Sequence, residues 1–116
     1  MKTVSKYINS MKQYVVFEIG ENAQDNFDII DRAKPEDLWF HVQGFSSSHV
    51  IAKVANYDLD KKQVRQISVQ GAVVCKQHSI YSHMTDLAII YTKIKNIKKS
   101  SEVGKVFTRD VRVRII

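Results

Sequence analysis

The residues best equipped for chemistry lie in two neighbouring strings, Asp37-Leu-Trp-Phe-His41 and Ser46-Ser-Ser-His49. In an extended segment successive side chains point to opposite faces, so Asp37, Trp39 and His41 share one face and Leu38, Phe40 and Val42 the other. The aliphatic face is a core face. The first face gathers a carboxylate, an indole and an imidazole within two pleats, and a returning strand would bring His49 alongside. Four readings stand open. Trp39 could stack on a base while His41, His49 and the serines bind phosphate or base edges. Asp37, His41 and His49 could hold a metal, or Asp37 could orient His41 for acid–base work. In the fourth, Trp39 is buried and the histidines satisfy local hydrogen bonds.

Other chemistries are harder to support. His78 and His83 are five apart, outside the usual three-or-four spacing of a zinc pair, and the single cysteine, Cys75, excludes an internal disulfide or an all-cysteine metal site. There is no Gly-x-Ser-x-Gly elbow. The four glycines, at 20, 44, 71 and 104, are too scattered for a phosphate-cradling loop or a dinucleotide fingerprint. No catalytic residue, cofactor or metal is assigned from these residues, and whether the chain is an enzyme stays open at this point, with a non-enzyme favoured.

Charge narrows the class of partner. The net charge is +6, and residues 1–92 are balanced, with ten Lys/Arg and ten Asp/Glu. The whole surplus lies in residues 93–116, where Lys93, Lys95, Lys98, Lys99, Lys105, Arg109, Arg112 and Arg114 face only Glu102 and Asp110. A segment so cationic attracts phosphates, although a merely solvated basic face has the same composition. Between residues 91 and 99 four lysines alternate with Ile94 and Ile97, which would dock the segment while the lysines project.

These residues need a scaffold. At 116 residues, 44% hydrophobic and 26% charged, the chain is expected to form one globular domain over residues 1–116. Apolar β-rich runs predict strands over 4–8, 14–19, 38–43, 49–54, 87–92, 105–108 and 111–116. A short helix is expected from Asp25 to just before Pro35. A longer one should follow the capping pair Asp60 and Gln63 and reach about residue 79, with Val64, Ile67, Gly71, Val74, Cys75 and His78 as its stripe. In the last strand Val111, Val113 and Ile115 share one face, and Arg112 and Arg114 the other. Without a repeating βαβ rhythm, the fold class is α+β: a mostly antiparallel sheet with one long central helix and one short helix. The first ten residues show no secretory leader and no apolar run spans a membrane, so a cytoplasmic location is expected.

With these segments in order, residues 14–116 resemble the NFACT-R domain, the RNA-binding part of ribosome quality-control factors and of some stand-alone small proteins. Four signatures support the likeness: Gly20-Glu-Asn-Ala-Gln-Asp-Asn26; Pro35-Glu-Asp-Leu-Trp-Phe-His41 with Ser48-His49; the helix ending Lys76-Gln-His-Ser79; and Tyr91-Thr-Lys-Ile-Lys-Asn-Ile-Lys-Lys99 followed by Gly104-Lys-Val. Glu21 stands where a basic residue is usual, Ser47 replaces a common glycine, and a proline frequent after the lysine segment is absent. The resemblance implies RNA binding, to tRNA or ribosomal RNA in translation or its quality control, with DNA and the ribosome itself left open as partners and no membrane.

The nucleic-acid-binding residues expected are Asp37, His41, Ser48, His49, Lys93, Lys95, Lys98, Lys99, Arg109, Arg112 and Arg114, with Trp39, Gly20 and Asn26 as structural signature residues. Trp39, flanked by Leu38 and Phe40, should pack beneath the site. His41 and His49 should point to the surface. A nucleic-acid-modifying enzyme built on Asp37, His41 and His49, or a ribosome-bound adaptor, are the alternatives.

Overall fold

A β-hairpin opens the chain. β1 (Lys2–Ile8) pairs antiparallel with β2 (Gln13–Ile19) from Lys2 opposite Ile19 to Ile8 opposite Gln13. There follow α1 (Ala23–Arg32), β3 (Leu38–Val42), β4 (Val50–Ala52), α2 (Lys61–Gln77), β5 (Ala88–Lys93), a 3-10 turn at Ile94–Asn96, β6 (Ile97–Lys99), β7 (Val106–Thr108) and β8 (Arg112–Ile115). The computed structural model describes all 116 residues. Six strands form one antiparallel sheet in the order β1-β2-β4-β3-β5-β8, and β6 and β7 form a separate two-stranded ribbon. The class is α+β.

Both faces of the sheet are covered near its centre. On one face α2 packs Ile67, Ala72, Val74 and Cys75 against Phe17, Phe40, Val50 and Ile89. The capping box that starts α2 forms as the sequence predicts: the Asp60 carboxylate accepts from Gln63 N at 2.8 Å, and the Gln63 side chain accepts from Asp60 N at 2.9 Å. Gly71 sits against the Phe40 ring so closely that a Cβ there would overlap it. On the other face Ile29 and Ile30 of α1 pack on Trp39, Ile51 and Ile94, with Ile97 and Val106 of the ribbon beside them.

Two details differ from the sequence reading, and a third completes it. α1 starts earlier, because Asn22 is its cap: its side chain accepts from Asp25 N at 2.8 Å, while Asp25 reaches back to Glu21 N at 2.9 Å. Residues 97–99 and 106–108 pair with each other rather than with the main sheet. In β8 the expected alternation holds, and the structure settles which face is which. Val113 and Ile115 are about half exposed (47% and 53%), whereas Arg112 and Arg114 lie opposite Tyr91 and Ile89 on the α2 side. The arginines lie on the face with room beside α2, and the apolar pair lies where no helix covers the sheet edge.

Candidate nucleic-acid interface

Three rings form the centre of the site. Trp39 is 1% exposed, and its Nε1–H donates to Nδ1 of His49 at 3.1 Å. His41 stacks parallel on the indole, with centroids 5.6 Å apart and planes within 4°. His49 stands edge-on to both, 5.4 Å from Trp39 and 5.0 Å from His41. The register explains the set: Trp39 and His41 point to the same face of β3, and β4 returns beside them, opposite Trp39 at Ile51.

Hydrogen bonding fixes the tautomers. An indole N–H can only donate, so Nδ1 of His49 is bare and its proton sits on Nε2. The Val42 carbonyl can only accept, so His41 donates through Nδ1–H at 2.7 Å. Burial lowers both pKa values. His49 is pushed down to about 3, chiefly by desolvation and then by repulsion from His41, with a backbone hydrogen bond to Gly104 opposing. His41 is lowered by desolvation too, against hydrogen bonds to the Val42 and Ser47 backbone. Both are therefore neutral at pH 7 and offer rings and hydrogen bonds rather than positive charge.

The glycine–asparagine segment builds one wall. The Asn26 side chain accepts from His49 N at 3.1 Å, and Gly20 N donates to the His49 carbonyl at 3.0 Å. A Cβ at Gly20 would overlap the Asn26 side chain, so glycine is required there by close approach. Opposite, Gly104 adopts φ +85° and lies against Ala23, again with no room for a Cβ. Residues from the first, second and fourth signature segments thus enclose one cavity of about 630 Å³. Asn22, Asn26, His41, Ser48, His49 and Lys105 are among its lining residues, and half-exposed Phe45 stands at its edge against Tyr81, 4.9 Å away.

Several sequence expectations change here. His49 is only 2% exposed, so it supports the cavity from within instead of projecting from the surface. Its ring is held there by Trp39, and its backbone by Asn26 and Gly20. Asp37 is buried away from the histidines. One carboxylate oxygen accepts from Val54 N and Ala55 N at 2.9 Å each; the other accepts from Lys34 N at 2.9 Å and pairs with Lys53 at 3.2 Å. It fastens the β4–α2 connection to the start of β3 and does not orient His41. No three His, Cys, Asp or Glu side chains come together in a metal-ligating group.

The basic set divides in two. Lys93 and Lys95 both pair with Glu36, at 2.7 and 3.0 Å, Lys99 with Asp31, and Lys105 with Glu102. Lys98, Arg109, Arg112 and Arg114 have no carboxylate partner. The Tyr91-Thr92 signature is architectural: Tyr91 stacks near Phe40 (5.7 Å), and the Thr92 hydroxyl lies 3.2 Å from the carbonyls of both Arg109 and Asp110, steadying the turn into β8. Sequence reasoning missed Asn22 and Phe45; the helix-capping pattern at 22–25 was the available signal for the first.

Comparison with known proteins identifies the family and the fold. The family model described as the NFACT protein RNA binding domain matches residues 4–110. Coiled-coil domain-containing protein 25 of Mus musculus is 30% identical over 116 residues, covering 97% of this chain and 55% of the mouse protein. The Dictyostelium discoideum homologue is 30% identical over 103 residues, covering 86% and 50%. The chain therefore spans about half the length of these relatives. The C-terminal part of the fibronectin/fibrinogen-binding protein from Streptococcus suis shares the fold, with a TM-score of 0.79 at 20% identity over 100% of this chain and 45% of that one. With the family model matching nearly the whole length and its signature segments meeting around one cavity, the chain belongs to the NFACT protein RNA binding domain family.

Proposed function

We propose that the cavity bordered by His41, Ser48 and Phe45 receives an unstacked base of an RNA, and that the RNA is a tRNA or ribosomal RNA engaged during translation or its quality control in the cytoplasm. The observation carrying this reading is the cavity's near-neutral lining. His41 and His49 are uncharged, Lys105 is paired with Glu102, and Glu21 adds a carboxylate at the wall. Such a lining suits a base better than a phosphate. Rings, hydroxyls and side-chain amides recognise base edges and faces, and stacking on an aromatic contributes about 1–3 kcal/mol per base. Trp39 and His49 act behind this surface by packing against His41, and Asp37 acts further off by fastening the β4–α2 connection to β3.

Crosslinking the chain to RNA in cells and sequencing what is recovered tests the reading. Enrichment of tRNA or ribosomal RNA at discrete unpaired positions is the expected result. Recovery of DNA, or of RNA spread evenly over messenger sequences, would contradict it.

A further inference from the structure

Four cations that no carboxylate neutralises gather on the opposite side of the sheet. β8 places Arg112 and Arg114 on the α2 face, and the first turns of α2 contribute Lys61 and Arg65. Together they line a groove of about 510 Å³ with Leu38 and Tyr91 among its lining. None of these four cations is in an ion pair. Lys93, which also lines the groove, is held by Glu36. Asp60 and Asp110 are the carboxylates in the lining, and the Asp60 carboxylate accepts from Gln63 N. Cations therefore exceed carboxylates there even with Lys93 discounted.

Arg114 sharpens the point. Its Nη2 donates to the Ser68 hydroxyl at 2.8 Å, and Ser68 in turn donates to the Arg65 carbonyl at 2.7 Å. Its Nε is buried with no partner. A guanidinium partly withdrawn from water and anchored by a neutral hydroxyl retains an uncompensated charge, an unfavourable arrangement that an anion in the groove would relieve. Arginine's planar fork suits phosphate oxygens.

We propose that this groove is a second binding site, separate from the base cavity, and that it grips the phosphodiester backbone of the RNA. The proposal rests on the RNA-binding reading above and divides the labour: neutral rings take a base on one face, and unpaired cations take phosphates on the other. The paired lysines of residues 93–99 are secondary.

Fluorescence anisotropy with a labelled unpaired RNA oligonucleotide, across a salt series, tests this on the full chain. Arg65→Gln with Arg112→Gln removes two exposed cations, and thermal melts verify folding. Affinity should fall about tenfold or more, and the slope of log affinity against log salt should become shallower by about 1.4, from roughly 0.7 per lost single-strand phosphate contact. Lys95→Gln with Lys99→Gln, whose lysines are ion-paired, should change affinity less than twofold. If the unsubstituted chain binds RNA but the arginine pair can be removed without altering affinity or slope, the groove is not the backbone site. If the unsubstituted chain binds no RNA, the RNA reading itself falls. Pyrophosphate displacing RNA at micromolar concentration under matched ionic strength would overturn the backbone assignment in favour of a small phosphate ligand.

Discussion

Trp39 and His49, ten residues apart in the chain, are joined by an indole-to-imidazole hydrogen bond of 3.1 Å buried beneath the cavity. It sets the His49 tautomer and ties β3 to the entry of β4. Trp39→Phe would retain much of the packing but leave Nδ1 of His49 without its donor, at an expected cost of about 1–3 kcal/mol. Trp39→Ala also empties the volume and should cost about 3–5 kcal/mol. Urea unfolding of both variants measures the difference; equal losses would mean that the hydrogen bond adds little to the packing.

The two histidines of the cavity, His49 buried and His41 partly so, make stability depend on pH. His49 is held at about 3 in the folded chain against an ordinary value of 6.5, so between those values the unfolded chain binds the additional proton. Stability should therefore fall as pH drops from 6.5 towards 3, by up to about 1.4 kcal/mol per pH unit for one proton. His41, also lowered, adds in the same direction. Denaturation midpoints between pH 6.5 and 4.5 should slope downward in the unsubstituted chain and be flatter in His49→Gln. Parallel slopes would remove His49 from this role.

Gly71 offers a test of sign. Replacing an interior helical glycine by alanine ordinarily stabilises by up to about 1 kcal/mol. Here the new methyl would overlap the Phe40 ring, itself wedged between Phe17 and Tyr91. Gly71→Ala should instead destabilise by about 1–3 kcal/mol, the usual cost of overpacking. A raised melting temperature would show that Phe40 can yield.

Cys75 lies fully buried on α2, and burial pushes its thiol up to about 12. A thiol reagent added at neutral pH should label it only at the rate of unfolding. Fast labelling of the native chain would place α2 further from the sheet than its contacts indicate.

Much of the scaffold was legible in the sequence because local signals and burial agree. The Asp60/Gln63 capping box, the stripe from Ile67 to Cys75 and the strand runs at 14–19 and 38–43 each form close to their expected limits. Polarity was harder to read. In β8 the alternation of valines with arginines fixes two faces but not which one meets a helix, since that depends on where α2 crosses the sheet. For the same reason His49 looked like a surface residue. Its burial requires Asn26 from α1, the indole of Trp39 and the neighbouring Gly104 segment, three partners distant from it in sequence. The lysines at 93, 95 and 99 read as free phosphate binders because Glu36 and Asp31, which neutralise them, are more than fifty residues away.

The central claim is that a neutral, ring-lined cavity takes an unstacked RNA base. Titrating a labelled RNA containing an unpaired loop, and a fully paired RNA of equal length, against the unsubstituted chain and the His41→Ala and Phe45→Ala variants tests it most directly. The account predicts that the unsubstituted chain prefers the looped RNA. Each variant should lose about tenfold in affinity for it, equivalent to about 1.4 kcal/mol and within the range for one stacked base, while its salt slope stays unchanged and melting verifies the fold. Equal affinity for looped and paired RNA, with both variants binding as tightly as the unsubstituted chain, would contradict it.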